Sequence, residues 1–159
     1  MPIEETDTLV ILQENILNRG RHFRILIRGR SMSPMLRDGD VVEIRDFDLN
    51  RLRVGDLLLF KTESGLLVLH RYLGKQIREG REWLTTKGDA SRGCDQPLAP
   101  HQILGRVVQI HSPRGVRSLE GLSARLANYI FAKLSPHRHV LGRLVRVLRL
   151  QKVIRGGRR

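Results

Sequence analysis

Between Arg24 and His111 the chain is divided into short apolar or alternating runs, and this spacing most constrains its fold. The runs cover residues 24–28, 40–45, 56–61, 66–73, 82–86 and 103–111, with turn signals such as Asp38-Gly39, Ser64-Gly65 and Glu79-Gly80 between them. Runs this short, bounded by glycine turns, read as strands. Several are continuously apolar, as in Leu57-Leu58-Leu59-Phe60, which predicts burial on both faces. The expectation is an all-β core. Only 4% of the 159 residues are aromatic, so that core must be aliphatic.

Both ends carry a different pattern. Residues 3–18 predict a helix with Leu9, Leu12 and Ile16 on one face, a start capped by Thr6, Asp7 or Thr8, and an end at Gly20. From Ser118 the period turns helical again, with Leu119, Leu122, Leu126, Tyr129 and Ile130 sharing a face. Pro136 separates a further helix, in which Val140, Leu141, Leu144, Val145 and Leu148 lie opposite Arg143, Arg146 and Arg149. The predicted organisation is an N-terminal helix (1–20), a mainly β domain (21–112) and a basic helical C-terminal extension (113–159). The length suits one compact domain with appendages.

The net charge is +13. From Pro113 onward twelve Lys/Arg (114, 117, 125, 133, 138, 143, 146, 149, 152, 155, 158, 159) face one acid, Glu120, so the tail carries +11 of it. Such a tail seeks a polyanion. An anionic membrane surface contacted through 118–159 is the expected partner. Nucleic acid is disfavoured because Tyr129 and Phe131 stand without other aromatics to stack bases. Packing of the tail on the core is the bland alternative. The N-terminus is acidic, without a leader-like apolar run, and no stretch reaches the roughly 18 apolar residues of a spanning helix. This predicts a cytoplasmic or peripheral membrane location. Cys94 is the one cysteine, so no internal disulfide forms, and the adjacent Asp95 disfavours its thiolate. Neither metal-ligand spacing nor a phosphate-binding glycine loop is present, and no cofactor is expected.

Chemistry concentrates in Gly29-Arg30-Ser31-Met32-Ser33-Pro34-Met35-Leu36-Arg37-Asp38-Gly39-Asp40. An apolar strand enters this stretch and another leaves it. Gly29 tolerates backbone angles that a Cβ resists. Pro34 restricts its own φ and pushes Ser33 to extended geometry. A bend of this kind lifts the Ser31 hydroxyl out of the strand plane and leaves its N–H free, as an oxyanion requires.

The stretch resembles the nucleophile box of type I signal peptidases and the related self-cleaving repressor proteases. Further boxes follow in the same order: Val54-Gly55-Asp56-Leu57-Leu58-Leu59-Phe60 resembles the Gly-Asp strand, Val68-Leu69-His70-Arg71-Tyr72 the general-base strand, and Lys87-Gly88-Asp89 with Asp95 the acidic box. A histidine before the arginine marks the endoplasmic-reticulum, archaeal and endospore type, which uses Ser-His-Asp; the common bacterial type has lysine at that position. The resemblance spans roughly residues 23–110. It implies a signal-peptidase-like β fold and a serine endopeptidase that cleaves an extended, signal- or leader-like peptide through an acyl-enzyme. Ser31 is then the nucleophile and His70 the general base. Asp95 is the first choice for the orienting acid and Asp89 the second. Arg71 either pairs with an acid near the site or lies solvated on its strand. Gly29 stands where the family commonly has Ser or Thr, so the Ser31 N–H is the one oxyanion donor proposed. Lys61 and Lys87 are alternative bases for a Ser-Lys dyad, expected instead at the surface. His22, His101, His111, His137 and His139 match no box. The rival reading is a non-catalytic module of the same fold that works through its basic tail.

Overall fold

A computed structural model of the chain describes residues 22–134. The expected helix over 3–18 and the helix after Pro136 lie outside the described residues. What is described is mainly β: seven strands in one antiparallel sheet and one α-helix. The strands are β1 (His22–Leu26), β2 (Val41–Arg45), β3 (Leu57–Lys61), β4 (Leu67–Arg78), β5 (Arg81–Lys87), β6 (Ile103–Ser112) and β7 (Gly115–Ser118). The helix is α1 (Leu122–Leu134). Their spatial order is β1-β2-β6-β3-β4-β5, with β7 paired to β6.

Continuous apolarity in β3 has the predicted consequence. Leu57, Leu58, Leu59 and Phe60 are all buried. Successive residues face opposite sides of a strand. Leu57 and Leu59 thus enter a core with Ile25, Ile27, Val42, Ile44, Leu69 and Ile110, while Leu58 and Phe60 enter a second with Tyr72, Leu84 and Leu98. β3 lies between β4 and β6, so both of its edges are hydrogen-bonded as well.

The Glu79-Gly80 signal closes the β4–β5 hairpin, whose last pair is Arg78 with Arg81. Both turn residues have positive φ, 52° and 73°, which is the two-residue geometry matched to strand twist. β4 runs beyond the predicted 66–73 to Arg78 because this hairpin gives its polar end a partner. β7 is absent from the sequence-based strands. It contains one large apolar residue, Val116, and every residue in it is exposed. Only its ladder with β6, Gln109 to Ser118 through Ser112 to Gly115, makes it a strand.

Helix α1 docks on the sheet with an unexpected face. Asn128 and Ala132 are buried, whereas Leu122, Leu126, Tyr129 and Ile130 of the predicted apolar face are exposed. Leu119 is buried, ahead of the helix. The docking surface is backbone-close. Gly55 has φ 105°, and a Cβ there would stand 2.6–2.8 Å from main-chain atoms of Asn128 and Tyr129. Only glycine permits that approach.

Candidate active site

Ser31 opens the turn that follows β1. Gly29 has φ 93°, and its N–H donates to Asp38 Oδ1 at 2.9 Å. Backbone bonds Ile27 N–H to Asp40 O (2.7 Å) and Gly39 N–H to Ile27 O (3.0 Å) clamp the two ends of the loop. Within it, Ser33 N–H donates to Arg30 O and Leu36 N–H to Met32 O. Met32 and Leu36 are buried in the first core, which anchors the loop while Ser31 stays half-buried beside it. The Ser31 carbonyl accepts from Ala90 N–H at 2.7 Å, tying the serine to the Gly88–Ser91 turn.

His70 is 8% exposed on β4, directly opposite Leu58, with its ring edge-on to Phe60 at 6.1 Å between centroids. Its Nδ1 lies 2.7 Å from Asp95 Oδ2, which also accepts from Thr86 Oγ1 at 2.6 Å. Burial opposes ionisation of Asp95. The hydrogen bond and charge of His70, the Thr86 hydrogen bond and the Lys87 charge outweigh it and hold the carboxyl below its ordinary value. An ionised carboxylate can only accept, so Nδ1–H donates, and in the neutral ring this tautomer puts the lone pair on Nε2. The Asp95 N–H bonds to Thr86 O at 2.9 Å, and two Leu84–Leu98 bonds bind the rest of this loop back along β5.

Gly88 shows how near the elements come. A Cβ built there would collide with Ser91 Oγ and would stand 2.9 Å from both His70 Nε2 and Ser31 O. The free imidazole nitrogen and the serine backbone therefore cannot be farther apart than twice that distance. Among the described residues, neither the Ser31 hydroxyl nor its N–H has a hydrogen-bond partner.

The side-chain bonds of Asp89 go to Arg71 and not to His70. Asp89 takes both Arg71 Nε and Nη2 at 2.7 Å in a fork-to-fork pair, with the guanidinium wholly buried and the carboxylate side chain 1% exposed. Arg71 Nη1 donates to Gly55 O at 2.8 Å and reaches Asn128 O and Oδ1 at 3.5 and 3.4 Å, and its guanidinium lies 5.6 Å from the Phe131 ring. Residues 70 and 71 are neighbours on one strand and project to opposite faces. That alternation sends one aspartate to each of them.

Lys87, expected at the surface, is 2% exposed, and its Nζ donates to Gly88 O at 3.2 Å. It pairs directly with Arg71 across β4 and β5, which carries it inward on the same face. Lys61 is exposed. The sequence reading missed Thr86, whose hydroxyl is legible as a carboxylate donor only once β5 and the following loop are folded together. It also set aside His22 and His111, which flank the buried Glu43 at 2.6 and 3.7 Å. Cys94 is exposed. Among the described residues no group of three or more His, Cys, Asp or Glu is placed to hold a metal ion.

A cavity of about 620 Å³ lies elsewhere, lined by Asp46, Arg51, Arg53, Arg106, Glu120 and Arg125 among others, and none of its lining residues belongs to the Ser31–His70 group. A site that binds an extended peptide by strand pairing needs an edge rather than a deep cavity. β1 provides one, being paired on one side only among the described residues. Searched against family models, curated proteins and solved structures, the chain matches none.

Proposed function

We propose that the chain is a serine endopeptidase with a signal-peptidase-like fold, cleaving an extended peptide through an acyl-enzyme. The observation that carries this reading is the His70–Asp95 bond at 2.7 Å, which leaves Nε2 turned toward the Ser31 turn. In the first step Ser31 Oγ attacks the scissile carbonyl carbon while its proton passes to His70 Nε2. Asp95 holds the imidazolium that results. The Ser31 N–H stabilises the carbonyl oxygen as it becomes an oxyanion. Collapse breaks the C–N bond, and His70 returns the proton to the departing amine. Water then attacks the acyl carbon as His70 Nε2 takes its proton, and collapse breaks the bond to Ser31 Oγ, returns the proton to that oxygen and releases the acid product. In this scheme Asp89 and Arg71 are positioning residues, since they hold the Gly88–Ser91 turn against the serine.

Purified protein should cleave a leader-like peptide; Ser31→Ala should abolish cleavage with an unchanged thermal midpoint, and His70→Ala should abolish it in a protein that remains folded. Full activity in Ser31→Ala would overturn the assignment. The non-catalytic rival draws on one observation, the absence of a hydrogen bond between the Ser31 hydroxyl and the imidazole among the described residues. Catalytic contacts are often loose before substrate arrives and tighten in the complex. A serine-directed acylating probe separates the two: stoichiometric labelling of Ser31 supports the peptidase, and no labelling supports the rival.

A further inference from the structure

The outward side of α1 is at odds with a helix that serves only the domain. Leu122, Leu126, Tyr129, Ile130 and Leu134 are 83, 61, 46, 47 and 53% exposed. At about 100° per residue they fall within an arc of roughly 140°, with Asn128 and Ala132 on the opposite side. Lys133 lies inside that arc, its Nζ 5.5 Å from the Tyr129 ring. A polar residue turned inward and a leucine row turned outward form an apolar surface that the sheet does not satisfy.

We infer that this row is an interfacial contact with an anionic bilayer. α1 would lie in the plane of the membrane surface, its five apolar side chains at the acyl boundary. Lys133 has a long aliphatic stem that lets its ammonium reach the headgroups from within the row. The charge sequence identifies this partner. No acid follows Glu120, while Lys133 is succeeded by eight more basic residues, from Arg138 to Arg159. Anionic headgroups complement both properties at once, since they present negative charge directly above an apolar layer. Nucleic acid offers phosphates but nothing to cover leucines. A second copy of the chain would bring two strongly cationic tails together. No helix among the described residues is long and apolar enough to cross a membrane, so the contact is one that lies on the bilayer.

The test is co-sedimentation of the full chain with vesicles of phosphatidylcholine containing phosphatidylserine, and with vesicles of phosphatidylcholine alone. The wild type should partition onto the anionic vesicles. Leu126→Glu with Ile130→Glu should lower that partitioning by at least about tenfold, with the thermal midpoint unchanged, because both residues are solvent-exposed. Should the glutamates impair folding, Leu126→Ser with Ile130→Ser gives the same comparison with a smaller change. Equal vesicle binding by wild type and variant would overturn the inference and leave charge alone as the cause. Failure of the wild type to bind would also overturn it. So would a dimer lost in the variant, duplex DNA binding without vesicle binding, or a fall in thermal midpoint without vesicle binding, which would mean the chain covers the row itself. Vesicle binding needs no peptidase activity, so the two readings fail separately.

Discussion

Asp89→Asn isolates the buried ion pair beside the site. In the native protein Arg71 is wholly buried and Asp89 nearly so, and both carboxylate oxygens are used at 2.7 Å. An asparagine amide keeps one acceptor and sets its NH₂ against a guanidinium N–H. The cation is then left with uncharged partners: that one acceptor, Gly55 O, Asn128 O and Oδ1, and the Phe131 ring. Removing one partner of a buried pair costs about 3–5 kcal/mol, because the other charge stays desolvated. Domains are stable by roughly 5–15 kcal/mol, so this is a large share of the total. Urea unfolding at pH 7 should show that loss as a lower midpoint with little change in slope. Adding Arg71→Met to Asp89→Asn should recover part of it, since the unpaired charge is gone. A loss well under about 1 kcal/mol would refute the reasoning, because it would mean that the guanidinium escapes to water. Under the peptidase reading the two aspartates also separate in rate. Asp95→Asn should reduce cleavage by about 10²–10⁴-fold through loss of the imidazole's orientation. Asp89→Asn, kept below its unfolding transition, should lower cleavage by less than Asp95→Asn does, since it acts on the site only through the Gly88–Ser91 turn.

Two further outcomes follow from the same geometry. Gly88→Ala places a methyl 2.9 Å from both His70 Nε2 and Ser31 O and against Ser91 Oγ, so the turn must move. Cleavage should fall by more than about tenfold while the urea midpoint shifts modestly, and an unaffected rate would show that the turn does not set the serine–imidazole distance. The folded-state pKa of Asp95 lies below its unfolded value, so its contribution to stability is complete above the ordinary aspartate range near pH 4 and is lost as pH falls through the folded value. The stability gap between wild type and Asp95→Asn should therefore close on acidification from pH 6 to about pH 2; a gap that stays constant would mean that the carboxylate gains nothing from His70, Thr86 and Lys87.

Much of the β core was legible from residue order, because turn chemistry and period two are local. β3 reads as buried on both faces from Leu57-Leu58-Leu59-Phe60 alone, and Gly29 and Gly80 mark places where the backbone takes positive φ. β7 was not legible, since Gly115–Ser118 carries almost no apolar signal and becomes a strand only by pairing. The buried state of Lys87 was equally hidden. A lysine reads as surface until its cross-strand neighbour, Arg71, is seen to point inward beside it.

Local order determined that a serine would sit in a clamped bend, that a histidine would end an apolar strand segment, and that two aspartates would follow a glycine turn. It left the choice between those aspartates open. The tertiary structure assigned Asp95 to His70 and Asp89 to Arg71. It also turned the leucines of α1 outward by seating Asn128 against Gly55. The reason is the same in each case. Sequence specifies which side chains share a face of one element, but which face meets which neighbour is set by pairing register and by close approach between elements distant along the chain.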